Sequence, residues 1–231
     1  KKIYYQNQKD AFLKYDNLFV YRKDDLKQII NKYKVSRCFV DLVPPSCPEK
    51  NFLRNIPSKK KFLYDFAFIG HYETDGRFNV ISNLLSMGYK CLILGKDWPE
   101  DITLNYSPNI SRITNTRVRY QDYLELLSLS RVNIGFVSNI NNDIYTRRYF
   151  ECPFSNSLFV AYESELYKKF TANMPNIFFS KNKLPLTEEC IKAFNISKLR
   201  DHYPTTKQKN EFYNLNSIFA RAKIFENFLK R

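Results

Sequence analysis

Short apolar runs and amphipathic stretches alternate along most of the chain. Apolar runs of about four to eight residues bounded by turn residues are typical of buried strands, and apolar positions roughly three or four residues apart are typical of helices. This order predicts an α/β fold, a Rossmann-like parallel sheet with helices on both faces, whose ligands bind at the carboxyl ends of the strands. The predicted strands are 17–21, 37–41, 64–70, 90–95, 132–137, 157–162 and 176–180, and the predicted helices are 23–33, 77–89, 120–131 and 163–170.

Two segments depart from this alternation. Residues 42–52 read "LVPPSCPEKNF", a proline-rich stretch that predicts a connector, so we place a boundary between 43 and 62. From about residue 208 to Phe228, apolar positions recur at helical spacing and predict one long C-terminal helix with an apolar stripe. We expect this stripe to pack against another part of the protein.

Composition restricts the class of protein. The net charge is +14, from 37 Lys and Arg against 23 Asp and Glu, and it favours an anionic partner such as nucleic acid, an acidic membrane surface or a phosphorylated small molecule. The five cysteines are widely spaced, without a CxxC pair, so they predict neither a disulfide framework nor a zinc site. No run approaches the roughly 18 apolar residues of a membrane span. We therefore expect a cytoplasmic protein.

The segment "DIYTRRYFECPFSN", residues 143–156, contains an electrostatic conflict. The Asn-Asn-Asp at 141–143 is a good helix cap and predicts a helix that starts there and runs toward the following proline. Arg147 and Arg148 then fall in its early turns, where the helix dipole favours carboxylates. Glu151 could pair with either arginine on a solvated helix face, although Arg before Glu is the weaker orientation. A diphosphate bound at the helix start would also resolve the conflict, because guanidinium groups clamp phosphates with paired hydrogen bonds.

The turn after the predicted strand at 64–70, "IGHYETDGR", is a second candidate site. Gly70 allows a ligand to approach the backbone, and the helix that follows presents free amides to a phosphate. A simple structural turn explains the lone glycine equally well, because neither a GxGxxG nor a Walker loop is present. His71 could donate to a phosphate or a sugar hydroxyl, or lie on the surface without a function. Asp75 could serve only as a cap for the helix that begins near Arg77.

Together these segments resemble a known family. The stretches "YDFAFIGHYETDGR", "GKDW", "YQDYLELLSLSRVNIGF" and "RRYFECPFSNSLFVAYESELYKKF" are similar to the carboxyl-terminal half of CgeB-type (spore maturation protein-like) glycosyltransferases, which have the GT-B fold. The resemblance covers residues 17–200, and its most specific part is the Arg-x-Phe-Glu-x-Pro string at 148–153. In such transferases this half binds the nucleotide-sugar donor.

The resemblance implies a role for each matching residue. Glu151 would hold the ribose and Arg148 the diphosphate, while the Gly70–His71 turn would face the phosphates or the sugar and residues 116–120 would border the base. Asp143 stands eight positions before Glu151, where many retaining relatives carry a Glu that holds the donor sugar. The implied donor-binding residues are Gly70, His71, Lys96, Val118, Tyr120, Arg147, Arg148 and Glu151, and the implied catalytic residues are Arg148, Asp143 and His71.

The sequence departs from the family in two respects. Asn156 stands where the family usually has glycine, but asparagine tolerates a left-handed backbone, so we expect the turn to survive. The resemblance also implies that most of the amino-terminal, acceptor-binding domain lies outside this sequence. We therefore expect 1–62 to hold the end of that domain and the interdomain connector, 63–205 to bind the nucleotide sugar, and 206–231 to pack back toward the N-terminal part. Such a chain should bind donor but catalyse poorly.

The leading hypothesis is sugar transfer from a nucleotide diphosphate sugar to a glycan, lipid or protein acceptor. Basic side chains can neutralise the departing diphosphate, so we expect neither a cofactor nor a metal. The alternatives are a nucleic-acid-binding module, which the scattered Lys and Arg and the lack of a known motif disfavour, and a non-catalytic interaction domain. The lysine-rich stretches at 57–62 and 167–170 could contact an anionic membrane peripherally, or could simply be solvated.

Overall fold

The computed structural model describes residues 45–54, 56, 62–106, 108–113, 118–140, 143, 145–171, 174–180, 186–199 and 202–230, together with 11, 14, 27 and 29–32. The predicted strands at 17–21 and 37–41 lie outside these residues. Within the predicted helix at 23–33, residues 27 and 29–32 are described, and they are helical.

The described residues form a six-stranded parallel sheet, in the order β3-β2-β1-β4-β5-β6. Ala67 of the central strand lies opposite Leu92 on one side and Asn133 on the other. The strand order changes direction between β1 and β4, which is where ligands bind in sheets of this type. The predicted fold class is therefore confirmed. The strands are β1 (Tyr64–Ile69), β2 (Cys91–Leu94), β3 (Ile110–Ile113), β4 (Ser130–Gly135), β5 (Leu158–Tyr162) and β6 (Ile177–Ser180).

Helices connect the strands and cover the sheet. The C-terminal segment is helical as predicted, but the extended backbone of Ser217 (φ −67°, ψ 164°) divides it into two helices. A short 3-10 turn, Cys152–Phe154, continues the helix that follows β4. The α-helices are α1 (Lys50–Leu53), α2 (Arg77–Ser86), α3 (Asp101–Tyr106), α4 (Tyr120–Leu127), α5 (Arg148–Glu151), α6 (Glu165–Thr171), α7 (Thr187–Ile196), α8 (Thr206–Asn216) and α9 (Ile218–Leu229).

The sheet is buried on both faces, as expected of a parallel sheet covered by helices. Phe66 and Phe68 of β1 point into the main core together with Ile134 of β4 and Val160 of β5, all of them at most 1% exposed. This packing fixes the carboxyl ends of β1 and β4 relative to each other. Within the described residues, no helix has the length and apolar character needed to cross a membrane.

The chain divides into two compact units. One comprises residues 46–220 and contains the whole described sheet, and the other comprises 1–45 with 221–231. The predicted functional boundaries at 62 and 205 remain a prediction. All contacts discussed below lie within residues 46–220.

Candidate functional site

The helix that follows β4 begins later than predicted. Residues 145 and 146 are not helical, and α5 begins at Arg148 with Arg147 as its N-cap. The amide of Asp143 donates to the carbonyl of Ser138 (2.9 Å), which places Asp143 in a turn rather than at the helix start. The two asparagines before Asp143 lie outside the described residues. Both arginines therefore stand at the very start of α5.

Arg148 lies against Gly70 at the carboxyl end of β1. A Cβ placed on Gly70 would lie 2.7 Å from Nη2 of Arg148 and 2.9 Å from the ring of Phe68, so glycine makes room for the guanidinium group. The guanidinium carbon lies 5.6 Å from the centroid of the Phe68 ring. Its Nε is buried and donates no hydrogen bond to any residue in the described part of the chain. Arg148 thus keeps hydrogen-bonding capacity for a ligand.

The loops that follow β1 and β2 cross beside Arg148. The indole Nε1 of Trp98 donates to the Gly70 carbonyl (3.0 Å), and the amide of Tyr72 donates to the Lys96 carbonyl (3.0 Å). The crossing is tight, because a Cβ placed on Gly95 would lie only 2.0 Å from the Gly70 oxygen. Lys96 is exposed on this crossing. The structure thus brings together the sequence-predicted residues Gly70, Lys96 and Arg148.

Arg77 stabilises the turn that follows Gly70 by ion pairs and a hydrogen bond within the loop. It is 3% exposed, its guanidinium is ion-paired with Asp75 and Glu73, and it donates to the His71 carbonyl (2.5 Å). Asp75 also accepts from the Arg77 amide (3.2 Å), consistent with its predicted role at the helix start. The ring of His71 contacts Glu73 (Nε2 to Oε1, 2.9 Å) but remains 59% exposed. Arg77 is therefore neutralised within the loop, whereas His71 remains accessible to a ligand.

Glu151 is buried, so the interpretation that places it on a solvated helix face is wrong. Glu151 is 2% exposed, and its carboxylate accepts hydrogen bonds from Tyr120 through Oε1 (2.9 Å) and from Tyr123 through Oε2 (2.6 Å). Oε1 is also ion-paired with Nε of Arg147 (2.8 Å). Arg147 lies over the Tyr120 ring, 4.9 Å from its centroid, and its side chain is 62% exposed. The predicted Arg147–Glu151 ion pair is present, but its carboxylate is held inside the protein.

The two tyrosines remain hydrogen-bond donors at neutral pH. Burial, followed by the negative charge of Glu151, raises the pKa of both Tyr120 and Tyr123 above the usual value of a phenol. A protonated phenol donates to a carboxylate oxygen, so the two hydroxyl groups satisfy both buried oxygens of Glu151. Together they fix the orientation of its carboxylate.

Replacing Tyr123 with phenylalanine is expected to destabilise the protein by about 1–3 kcal/mol, because it leaves the buried Oε2 of Glu151 without its donor. Tyr120→Phe is the matched control, since Oε1 keeps its contact with Arg147. It should cost less than about 1 kcal/mol. Urea denaturation, monitored by circular dichroism, measures the free energy of unfolding of both variants. Equal losses of this free energy in the two variants would contradict the assignment of Tyr123 as the donor to Oε2 of Glu151.

The remaining predicted residues are more peripheral. Val118 is half-buried and lies just before α4, and Asp143 is half-buried in the turn after β4. Sequence reasoning missed Tyr123, although its position three residues after Tyr120 places both on one face of a helix. It also assigned no role to Trp98. In the described part of the chain, no cluster of three or more His, Cys, Asp or Glu side chains could hold a metal ion.

The fold is shared with several solved structures. One is a glycosyltransferase from Rickettsia africae ESF-5, with 14% sequence identity, a TM-score of 0.64, and coverage of 94% of this chain and 64% of that one. The UDP-forming α,α-trehalose-phosphate synthase from Burkholderia xenovorans, solved with glucose-6-phosphate, has 11% identity, a TM-score of 0.65, and coverage of 98% and 64%. The pneumococcal O-GlcNAc transferase GtfA, solved with UDP and GlcNAc, has 12% identity, a TM-score of 0.57, and coverage of 98% and 46%.

These comparisons differ in what they establish. The chain spans less than two thirds of the length of each of these three proteins, and at such low identity the likeness shows the fold alone. No curated protein matches the chain. A family model described as glycosyl transferase-like matches residues 77–208, more than half of the chain, which includes Arg148 and Glu151. The chain therefore belongs to the glycosyl transferase-like family.

Proposed function

We propose that the edge of the sheet around Gly70, Arg148 and Glu151 binds the donor of a glycosyltransferase, a nucleotide diphosphate sugar. The protein would transfer the sugar to a glycan, lipid or protein acceptor. The observation that carries the proposal is the Arg148 guanidinium, which lies against Gly70 at the carboxyl end of β1 with a buried Nε that contacts no described acceptor. The Arg-x-Phe-Glu-x-Pro string at 148–153 further supports a CgeB-type enzyme within the family.

In this proposal, basic residues stabilise the charge that develops on the departing diphosphate. Arg148 contributes a planar group that can form two parallel hydrogen bonds with phosphate oxygens, and Lys96 on the adjacent loop contributes a second positive charge. Such preorganised charges act mainly on the transition state, where the leaving group becomes more negative. The donor itself is a substrate, and these two side chains supply the neutralising charge without a cofactor.

His71 and Asp143 are the other two proposed catalytic residues, beside Arg148. His71 is exposed on the turn that follows Gly70, so its ring can donate to a phosphate or a sugar hydroxyl. Asp143 lies in the turn that follows β4, and β4 adjoins β1 in the sheet. Both turns stand at the carboxyl-end edge, so we assign Asp143 to the hydroxyl groups of the donor sugar. Val118 and Tyr120 would border the base.

We propose that Glu151 accepts hydrogen bonds from the hydroxyl groups of the ribose. A carboxylate has about four lone-pair sites, and here two tyrosine hydroxyl groups donate to it while Arg147 forms an ion pair with it. Arg147 is the exposed ion-pair partner, so a ribose hydroxyl can share Oε1 or displace Arg147 there without disturbing the buried hydrogen bond from Tyr123. This role predicts that the site distinguishes ribose from deoxyribose.

Calorimetric titration with UDP, GDP, ADP and CDP tests this role. The diphosphate that binds best is then compared with its 2′-deoxy form. We expect the wild-type protein to prefer the ribose form about tenfold, the value of one hydrogen bond to a charged group. Glu151→Gln should reduce that preference to about twofold, because a neutral amide binds a hydroxyl more weakly. An unchanged preference in the variant would exclude Glu151 as the ribose contact.

We also propose that the basic surface contacts anionic membranes peripherally. The net charge of +14 supports this, since each surface Lys or Arg contributes about 1 kcal/mol near an anionic bilayer. Within the second lysine-rich stretch, however, Lys168 is ion-paired with Glu163 and adds little net charge. A failure to sediment with phosphatidylglycerol vesicles at low salt would contradict the proposal.

A further inference from the structure

A groove of about 470 Å³ lies beside the amino end of β5. Its walls come from α1 and the residues that follow it, from the turn before β5, and from α8. Asn156 belongs to that turn and precedes the first residue of β5, so the groove lies at the amino ends of the strands. None of the residues that line the groove belongs to the proposed donor site, although Phe52 of α1 contacts the Tyr120 ring (5.2 Å between centroids).

The charged side chains among the described residues that line the groove are all positive. They belong to Lys50, Arg54 and Lys209. Within the described part of the chain, no carboxylate comes within the 4.0 Å of an ion pair to any of these three side chains. The exposed Glu211 on α8 lies 4.0 Å from Lys207, which is outside the groove. The groove therefore has a positive charge that the described residues leave uncompensated.

Lys209 is the most buried of these cations. Its ammonium group donates to Oδ1 of Asn156, whose left-handed backbone (φ 58°) forms the turn before β5. Desolvation lowers the pKa of Lys209, because no opposite charge offsets its burial. An ammonium group in such a position gains more from a bound anion than one on an open surface does, since less water competes for it.

Apolar and aromatic side chains form one part of the remaining lining, namely Leu53, Ile56, Phe154 and Tyr213, and the polar residues Asn156, Thr206 and Asn210 form the rest. Phe154 is 5% exposed, and the ring of Tyr213 packs under the Lys50 ammonium at 5.0 Å. The volume falls within the range of about 300–1,000 Å³ that is typical of small-molecule sites. A ligand that matches these walls has an anionic group near Lys209 and an apolar body along Phe154 and Tyr213.

We propose that this groove binds a phosphate group carried on an apolar body. The phosphate would pair with Lys209, Arg54 and Lys50, which present donors and positive charge to its oxygens. The apolar body would cover the aromatic wall and remove it from water. A membrane lipid and a soluble phosphorylated metabolite share this chemistry, and the groove would recognise either by the same contacts.

Calorimetric titration with hexyl phosphate and with inorganic phosphate tests the proposal. We expect hexyl phosphate to bind at least tenfold more tightly, because only it has an apolar body. Lys209→Met should weaken hexyl phosphate binding about tenfold, the loss of one charge-assisted hydrogen bond. Lys209→Arg should retain binding within about threefold, since it keeps the charge. Thermal melts of each variant show that it is folded.

Lys207→Met is the matched control. Lys207 lies on the same helix, is 86% exposed, and does not line the groove. Its substitution removes the same charge and should change hexyl phosphate binding less than twofold. Equal losses in the Lys207 and Lys209 variants, or equal affinity for the two phosphates, would overturn the proposal.

Vesicles of phosphatidylglycerol identify the source of the phosphate. If sedimentation with these vesicles falls in Lys209→Met but not in Lys207→Met, the ligand is a lipid headgroup. If hexyl phosphate depends on Lys209 while vesicle binding does not, the ligand is a soluble phosphate compound. Either result retains the groove as a phosphate site, and loss of the Lys209 dependence in both assays rejects it.

Discussion

Replacing Arg148 with methionine is expected to weaken the binding of nucleoside diphosphates about a hundredfold, with little change in folding stability. A guanidinium group that forms two charged hydrogen bonds with a phosphate contributes about 1.5 kcal/mol or more for each, and about 1.4 kcal/mol corresponds to a factor of ten. Stability should be preserved because the Nε of Arg148 has no described hydrogen-bond partner to lose. The methionine side chain can maintain the contact with Phe68.

The control for this prediction is Lys192→Met. Lys192 is 65% exposed and pairs with Glu189, so its substitution removes the same charge outside the site. Diphosphate binding should change less than threefold in this variant. If both variants lose affinity equally, the net charge of the protein and not the Arg148 side chain attracts the diphosphate. Titration of both with the preferred diphosphate and its monophosphate separates these cases, since a specific clamp favours the diphosphate.

The periodicity of the sequence predicted the parts of the fold with strong apolar runs. β1, β2, β4 and β5 were found within a few residues because each presents a continuous apolar segment. The structure adds β3 and α3, at 110–113 and 101–106, which were not predicted because β3 reads Ile-Ser-Arg-Ile and lacks such a run. α7 was also missed, since the residues it buries are Thr187, Cys190 and Ala193, which are small or polar.

The sequence predicted those site residues that directly follow the carboxyl ends of strands. Gly70 and Arg148 follow adjacent strands, so the topology places them together, and the Arg147–Glu151 pair follows from helical spacing. The burial of Glu151 was not predictable, because it requires two tyrosines from α4 to pack over α5. The neutralisation of Arg77 by Glu73 and Asp75 depends in the same way on the path of a loop.

The crossing of Gly70 and Gly95 gives the largest expected effect on stability. A Cβ on Gly95 would lie 2.0 Å from the Gly70 oxygen, 2.4 Å from its carbonyl carbon and 2.9 Å from the His71 nitrogen. These are backbone atoms, so no side-chain rotation can relieve the overlap. Gly95→Ala must displace the turn that Trp98 holds by its hydrogen bond to Gly70. We expect a loss of about 3 kcal/mol or more, at or above the upper end of typical overpacking costs.

The control variant Gly88→Ala distinguishes the cost of the atomic overlap at Gly95 from the cost of a positive φ. Gly88 also has a positive φ (85°), but a Cβ there would meet no atom within 4 Å. Its substitution should cost only about 1–2 kcal/mol, the penalty of a left-handed conformation. Urea denaturation measures both variants, and a Gly95 variant as stable as the Gly88 variant would refute the tight crossing. Because the displaced turn carries Gly70, which lies against Arg148, Gly95→Ala should also weaken diphosphate binding at temperatures where it remains folded, whereas Gly88→Ala should not.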